Sequence, residues 1–133
     1  MKLAGSYEFT VEVAGSMEGT ESRVRELLQA QGFGVLTEID VQATLRKKLE
    51  QEFRPYRILG ACHPTLAHRA LEAEPGIGVL LPCNVVLEEL GEGVTRVRFM
   101  EPLAVLGQID NPALQPVAQE ASTRLHEVAR GLR

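Results

Sequence analysis

With 133 residues, 44% of them apolar and 24% charged, the chain has the composition of one globular α+β domain spanning 1–133, and neither a disordered segment nor a disulfide scaffold reads this way. A net charge of −4 argues against nucleic acid, which needs clustered Lys and Arg; the one basic run, Arg46-Lys47-Lys48, is followed by Glu50 and Glu52 and reads as a solvated helix face. No apolar run approaches the ~18 residues of a membrane helix and residues 1–9 lack the apolar core of a signal peptide, so the expectation is a cytoplasmic protein whose Cys62 and Cys83 stay free thiols.

Residues 7–13 alternate aromatic or branched side chains with Glu and Thr, the two-residue period of a strand with one wet face. A flexible link over residues 15–19 leads to a helix over 20–31, where Val24, Leu27 and Leu28 recur at helical spacing and Gly32 stands at the C-cap position. Residues 33–39 are rich in strand formers. Asp40 then caps a helix with Val41, Leu45 and Leu49 on one side. Residues 56–62 are apolar on both parities, as in a central strand. His63-Pro64 turns that strand into a helix, because Pro at the first helical position costs no hydrogen bond; Leu66, Ala67, Ala70 and Leu71 form its inner face, and Glu74-Pro75-Gly76 ends it.

Two alternating runs, 85–90 and 94–100, flank Gly91-Glu92-Gly93 and predict a hairpin. With Leu90 opposite Val94, Leu87 meets Val97 and Val85 meets Phe99 on the core face, while Glu88 meets Arg96 on the wet one. Asn111-Pro112 opens a long last helix whose stripe is Leu114, Val117, Ala118, Ala121, Leu125 and Val128. This order predicts a two-layer sandwich, a largely antiparallel sheet with helices packed on one face. Strand order is not legible.

Chemistry is concentrated in two segments. In Leu80-Leu81-Pro82-Cys83-Asn84 the proline marks an edge, bulge or kink beside a thiol, and strand phase from Cys83 through Val85 and Leu87 turns the sulfur into the core. Cys62-His63-Pro64 lies at a strand-to-helix junction, the setting of a reactive thiol and equally of a plain helix cap. Cys62, His63 and Cys83, with His68, His126 or Met100, have the donor types of a soft-metal site but not its close ligand spacing. There is no Gly-x-Ser-x-Gly, His-Glu-x-x-His or Gly-x-x-x-x-Gly-Lys. Glu72 with Glu74 and Glu88 with Glu89 read as solvated surface, so no catalytic residue is assigned.

The residues 56–64, with Ala67 and Ala70 in the following helix and then Leu80-Leu81-Pro82-Cys83-Asn84-Val85-Val86, make a pattern that resembles the domain-of-unknown-function family 302 over nearly the whole chain. The resemblance implies a compact α/β domain with no established activity. It also implies that His63 stands where Asn is common, which argues against His63 as an essential ligand or base.

Three functions are compatible with these residues. The first is a non-catalytic binding domain for a small apolar ligand, with Cys62, Pro82, Cys83 and Asn84 at the pocket and residues 79–83 as its rim. The second is a thiol redox or soft-metal protein using Cys62 and Cys83. The third is an assembly module, a homodimer paired through an exposed edge such as residues 7–13. The first is the expectation carried forward; no cofactor is assigned.

Overall fold

The computed structural model describes residues 6–133; the reading of the first five residues as free of a signal peptide lies outside that range. Five strands, β1 (Glu8–Ala14), β2 (Gly34–Asp40), β3 (Tyr56–Cys62), β4 (Cys83–Gly91) and β5 (Val94–Met100), form one sheet in the order β1-β5-β4-β3-β2. Every neighbouring pair is antiparallel. β1 and β2 are the two edges, so the first strand is an edge strand, as the assembly reading requires. No helix among the described residues is long and apolar enough to cross a membrane.

Alternation along the strands assigns the two faces. Val11, Val13, Leu59, Ala61, Cys83, Val85, Leu87, Val97 and Phe99 all point to one side, where they pack with Val24 and Leu28 of α1 (Met17–Ala30) and with Leu125, Val128 and Leu132 of α5 (Gln115–Leu132). This is the α+β architecture with helices on one face of an antiparallel sheet. A second apolar cluster, built almost wholly from helices, continues the layer. It joins Leu66 and Ala70 of α3 (Pro64–Ala73), Ile77 of the 3-10 turn Pro75–Leu80, Leu106 of α4 (Pro102–Leu106), Leu114, and Val117, Ala118 and Ala121 of α5.

Local chemistry sets the boundaries. Residues 17–19 are not a flexible link but the first turn of α1, because Ser16 caps it, its hydroxyl accepting from the Gly19 N–H at 3.1 Å. Asp40 caps α2 (Val41–Leu49) through the Ala43 N–H at 2.9 Å, as expected; yet no residue of α2 is buried, so its Val41-Leu45-Leu49 stripe is not core. Leu71, expected on the inner face of α3, is exposed; the residues the helix buries are Leu66 and Ala70. In the hairpin, Glu88, Leu87 and Val85 meet Arg96, Val97 and Phe99 as predicted. Leu90 does not face Val94: Gly91 does, and Leu90 falls in an irregularity of the ladder. α4 was not anticipated; Glu101 caps it with Pro102 in its first turn.

Candidate functional site

The segment 80–84 straddles the sheet, and its residues serve opposite faces. Cys83 opens β4, pairs with Ala61 of β3 and is buried in the inner layer. Asn84, the next residue, pairs with Gly60 and is exposed on the other face. Pro82, following a cis Leu81–Pro82 bond, lies over Gly60: a Cβ at that glycine would collide with Thr37 Oγ1 and come within 2.8 Å of Pro82 Cγ. Glycine at 60 is therefore a packing requirement. Of the four residues expected to form one pocket, Cys62 and Cys83 border a cavity on the inner side, while the pleat turns Asn84 to the opposite face.

On the inner side an apolar cavity of ≈ 40 Å³ is lined by Cys83, Cys62, Phe33, Leu66, Ala70 and Leu81 with their neighbours. It has room for a few atoms, well below the ~300 Å³ at which ligand pockets begin. Val79, expected at its rim, is 89% exposed and takes no part. Burial first, and then the neighbouring Cys62, push the Cys83 thiol up to about 12, so Cys83 is a protonated, packed thiol. Both cysteines are free and both border this cavity. Register opposes Ala61, not Cys62, to Cys83.

His63 is a cap. Its Nδ1 accepts from the Leu66 N–H at 3.3 Å, and its ring stands edge-on to Phe33 with centroids 5.4 Å apart. Its Nε2 edge lies against Gly32, where φ is +87° and an added Cβ would come within 2.7 Å. Burial, then the charge of Arg124, lower the His63 pKa and hold the ring neutral despite Glu120. The other metal candidates are dispersed. His68 pairs with Glu72 on the exposed side of α3, His126 stacks on Phe9 and reaches Glu101 at 2.8 Å, and Met100 is on β5. Among the described residues no group of three His, Cys, Asp or Glu side chains could hold a metal ion.

Among the described residues no helix covers the centre of the other face of the sheet, which holds a groove of ≈ 500 Å³. Asn84 and Val86 of β4 form its floor, Tyr7 and Tyr56 stand at its sides, and Met100 with Val105 of α4 supply apolar walls. Its polar centre is Arg98. Nη1 donates to both carboxylate oxygens of Glu8, at 3.1 and 2.9 Å, while Nε and Nη2 donate to Glu88 Oε1 at 3.1 and 2.9 Å. These bonds, those to Glu88 foremost, raise the Arg98 pKa further and fix it as a cation. Glu88 is only 8% exposed, which corrects its reading as solvated surface: Arg98, diagonal to it across the β4/β5 ladder, makes burial of its carboxylate tolerable. Its second oxygen, Oε2, accepts no hydrogen bond from the described residues; Arg54 Nη1 approaches it at 3.5 Å from a guanidinium seated 4.5 Å above the Phe53 ring.

Fold and site together define a class: a two-layer α+β domain with a sealed inner layer and a ligand-sized groove on the open face of its sheet. Residues 9–132 match the family model described as Domain of unknown function DUF302, and the chain belongs to that family. It is similar to an uncharacterised conserved DUF302 protein of Bacillus stearothermophilus, known from a crystal structure, at 32% identity and a TM-score of 0.89 over 97% of this chain and 100% of that one. No curated protein matches the chain.

Proposed function

We propose that the chain is a binding module that takes a small amphipathic molecule in the groove on the open face of the sheet. The observation that carries this reading is the size and lining of the groove. At ≈ 500 Å³ it falls in the range of small-molecule sites, and it combines apolar walls with a few convergent polar groups. Asn84 offers an amide donor and acceptor on the floor, the Glu8-Arg98-Glu88 cluster fixes charge at the centre, and Val86, Met100 and Val105 take the apolar part of the ligand. Few of these groups need to move, since Arg98 is held by four hydrogen bonds and preorganised sites lose less on binding.

The inner cavity supports a narrower role. Its walls are apolar, but ≈ 40 Å³ admits only a molecule of a few heavy atoms without the helices parting. Amide and methyl NMR shift mapping against a fragment library separates the two. Shifts that converge on Asn84, Val86 and Met100 support the groove, shifts confined to Leu66, Ala70 and Cys83 support the inner cavity, and a library that moves neither set overturns the binding reading.

A further inference from the structure

Two thiols border one cavity in a layer that is otherwise packed shut. Cys62 closes β3 and is half-buried, while Cys83 opens β4 and is buried. The β3–β4 ladder ends at the pair Ala61–Cys83, so Cys62 stands one residue beyond the partner of Cys83. One step along the chain and one strand across puts their Cα atoms roughly 6 Å apart, inside the ~7 Å beyond which a disulfide needs backbone movement. The cavity of ≈ 40 Å³ that both residues line gives the sulfurs room that a close-packed core would deny them. Burial first, and Cys62 second, raise the Cys83 pKa, as for two thiols within each other's field.

The two thiols are not equivalent. An oxidant in solvent reaches Cys62, whereas Cys83 sits behind it in the inner layer, and oxidation follows access. Near neutral pH, with its pKa at about 12, the thiolate of Cys83 is scarcer than that of an ordinary thiol by about a thousandfold. Adjacency offsets that scarcity for an intramolecular step, since effective molarities of well-placed groups reach ~10⁵ M. An oxidant from outside gains nothing from it. One thiol is therefore placed to be oxidised first and the other to react only with its neighbour.

We propose that Cys62 and Cys83 are a peroxide-oxidised pair, Cys62 taking the first oxygen and Cys83 resolving it to a disulfide across the inner cavity. The Cys62 thiolate attacks one oxygen of hydrogen peroxide. An S–O bond forms, the O–O bond breaks, and the departing hydroxide takes up the proton that the Cys62 thiol gave up, leaving as water. Sulfur has given two electrons to the peroxide and is now a sulfenic acid. The Cys83 sulfur then displaces its hydroxyl: the S–S bond forms, the S–O bond breaks, and the Cys83 proton leaves with the hydroxide as a second water. The product ties the end of β3 to the start of β4 and closes α3 and the turn Pro75–Leu80 into a covalent loop. The pair is independent of the groove, which lies on the other face of the sheet.

The test treats the reduced, unaltered chain with hydrogen peroxide, then denatures it in N-ethylmaleimide for intact-mass analysis and peptide mapping. A monomer lighter by about 2 Da is expected, alkylated at neither cysteine, with the Cys62 and Cys83 peptides joined and separated again by dithiothreitol. Over the time in which peroxide bridges most chains, iodoacetamide should reach Cys83 in under about a tenth of reduced chains, because the bridge needs no global opening. In Cys83→Ala, dimedone should trap a sulfenic acid at Cys62, and in Cys62→Ala, peroxide should leave Cys83 reduced. If either variant does not fold, the mass and the two rates on the unaltered chain still decide. The proposal is overturned if peroxide leaves both thiols reduced, or if Cys62 passes to sulfinic acid while Cys83 stays alkylatable. Chains joined to one another through Cys62, or a bridge that forms no faster than Cys83 is labelled, overturn it equally.

Discussion

The two faces of the same sheet have been finished in opposite ways. Inside, Leu59, Val85, Leu87, Val97 and Phe99 are sealed by α1 and α5, and what remains is a ≈ 40 Å³ cavity. Outside, the same strands present Asn84, Val86, Glu88, Arg98 and Met100 to a groove more than ten times larger. The inner face is selected by volume, where each methylene is felt. The outer face is selected by pairing, because a charge with little access to water must find its partner on the protein. A solvated sheet face would need neither constraint, and that separates this face from an ordinary wet one.

The sharpest way to break the comparison is thiol labelling. Cys83 is pushed up to about 12 from an ordinary 9.0, so near neutral pH its thiolate is scarcer by about a thousandfold, and burial adds to the protection. Cys62 is only half-buried. Iodoacetamide followed by peptide mass spectrometry is expected to label Cys62 early and Cys83 only on global unfolding. Similar rates at both positions would mean that the inner layer opens readily and is no sealed core.

Truncation on each side comes next. Phe99→Ala empties a fully buried site in contact with Phe9 and is expected to lose about 3–5 kcal/mol. On the open face, Arg98→Met keeps the stem but leaves Glu88 without its donor. A loss of ~3 kcal/mol is expected, the low end for removing one partner of a buried pair, since the Arg98 side chain stays 26% exposed. A loss under about 1 kcal/mol, typical of surface pairs, would show that the open face is ordinary solvated surface after all. Urea unfolding curves measure both, and an unchanged slope confirms that the comparison is of like with like.

Much of the inner face was legible in the sequence and the outer one was not, for physical reasons. Val85, Leu87, Val97 and Phe99 announce themselves by period two, and their pairings were readable from a short hairpin. The α5 stripe from Leu114 to Val128 is equally plain at period 3.6. The groove instead gathers Tyr7 and Glu8 from one strand end, Tyr56 from a central strand, Asn84 and Glu88 from another, and Val105 from an unforeseen helix. Their proximity depends on strand order, which no local pattern encodes. One signal was present: Glu88 and Arg98, opposite in charge, share the polar face of the predicted hairpin one diagonal step apart. The reading of Glu88 as solvated came from its neighbour Glu89 in sequence, whereas its environment is set by neighbours across the sheet. The segment 80–84 is split for a different reason: Leu81 and Cys83 border the inner cavity and Asn84 the groove, because a pleat turns adjacent strand residues to opposite faces.

The smallest expected effect lies where the two faces are joined. Glu101 caps α4, which carries the Val105 wall of the groove, and it also binds α5 of the inner layer through His126 at 2.8 Å. Burial pushes its carboxyl up. The hydrogen bonds from His126, Ser122 and the Leu103 N–H outweigh that and hold it below the usual range. A carboxyl whose folded pKa is depressed adds stability that is fully present above its unfolded value, near ~4.3, and that is lost as pH falls from there through the folded value. Glu101→Gln keeps an oxygen to accept from the Leu103 N–H but removes the charge, and should therefore cost up to about 1 kcal/mol at pH 7, the range of a partly exposed charged pair. It should also flatten the decline of stability below about pH 4.3, so that the variant and the unaltered chain converge in acid. If the gap instead stays constant down to pH 2, Glu101 acts only by shape and the joint between the faces is packing alone; if the gap closes, the α4 wall of the groove is fastened to the inner layer by this charge.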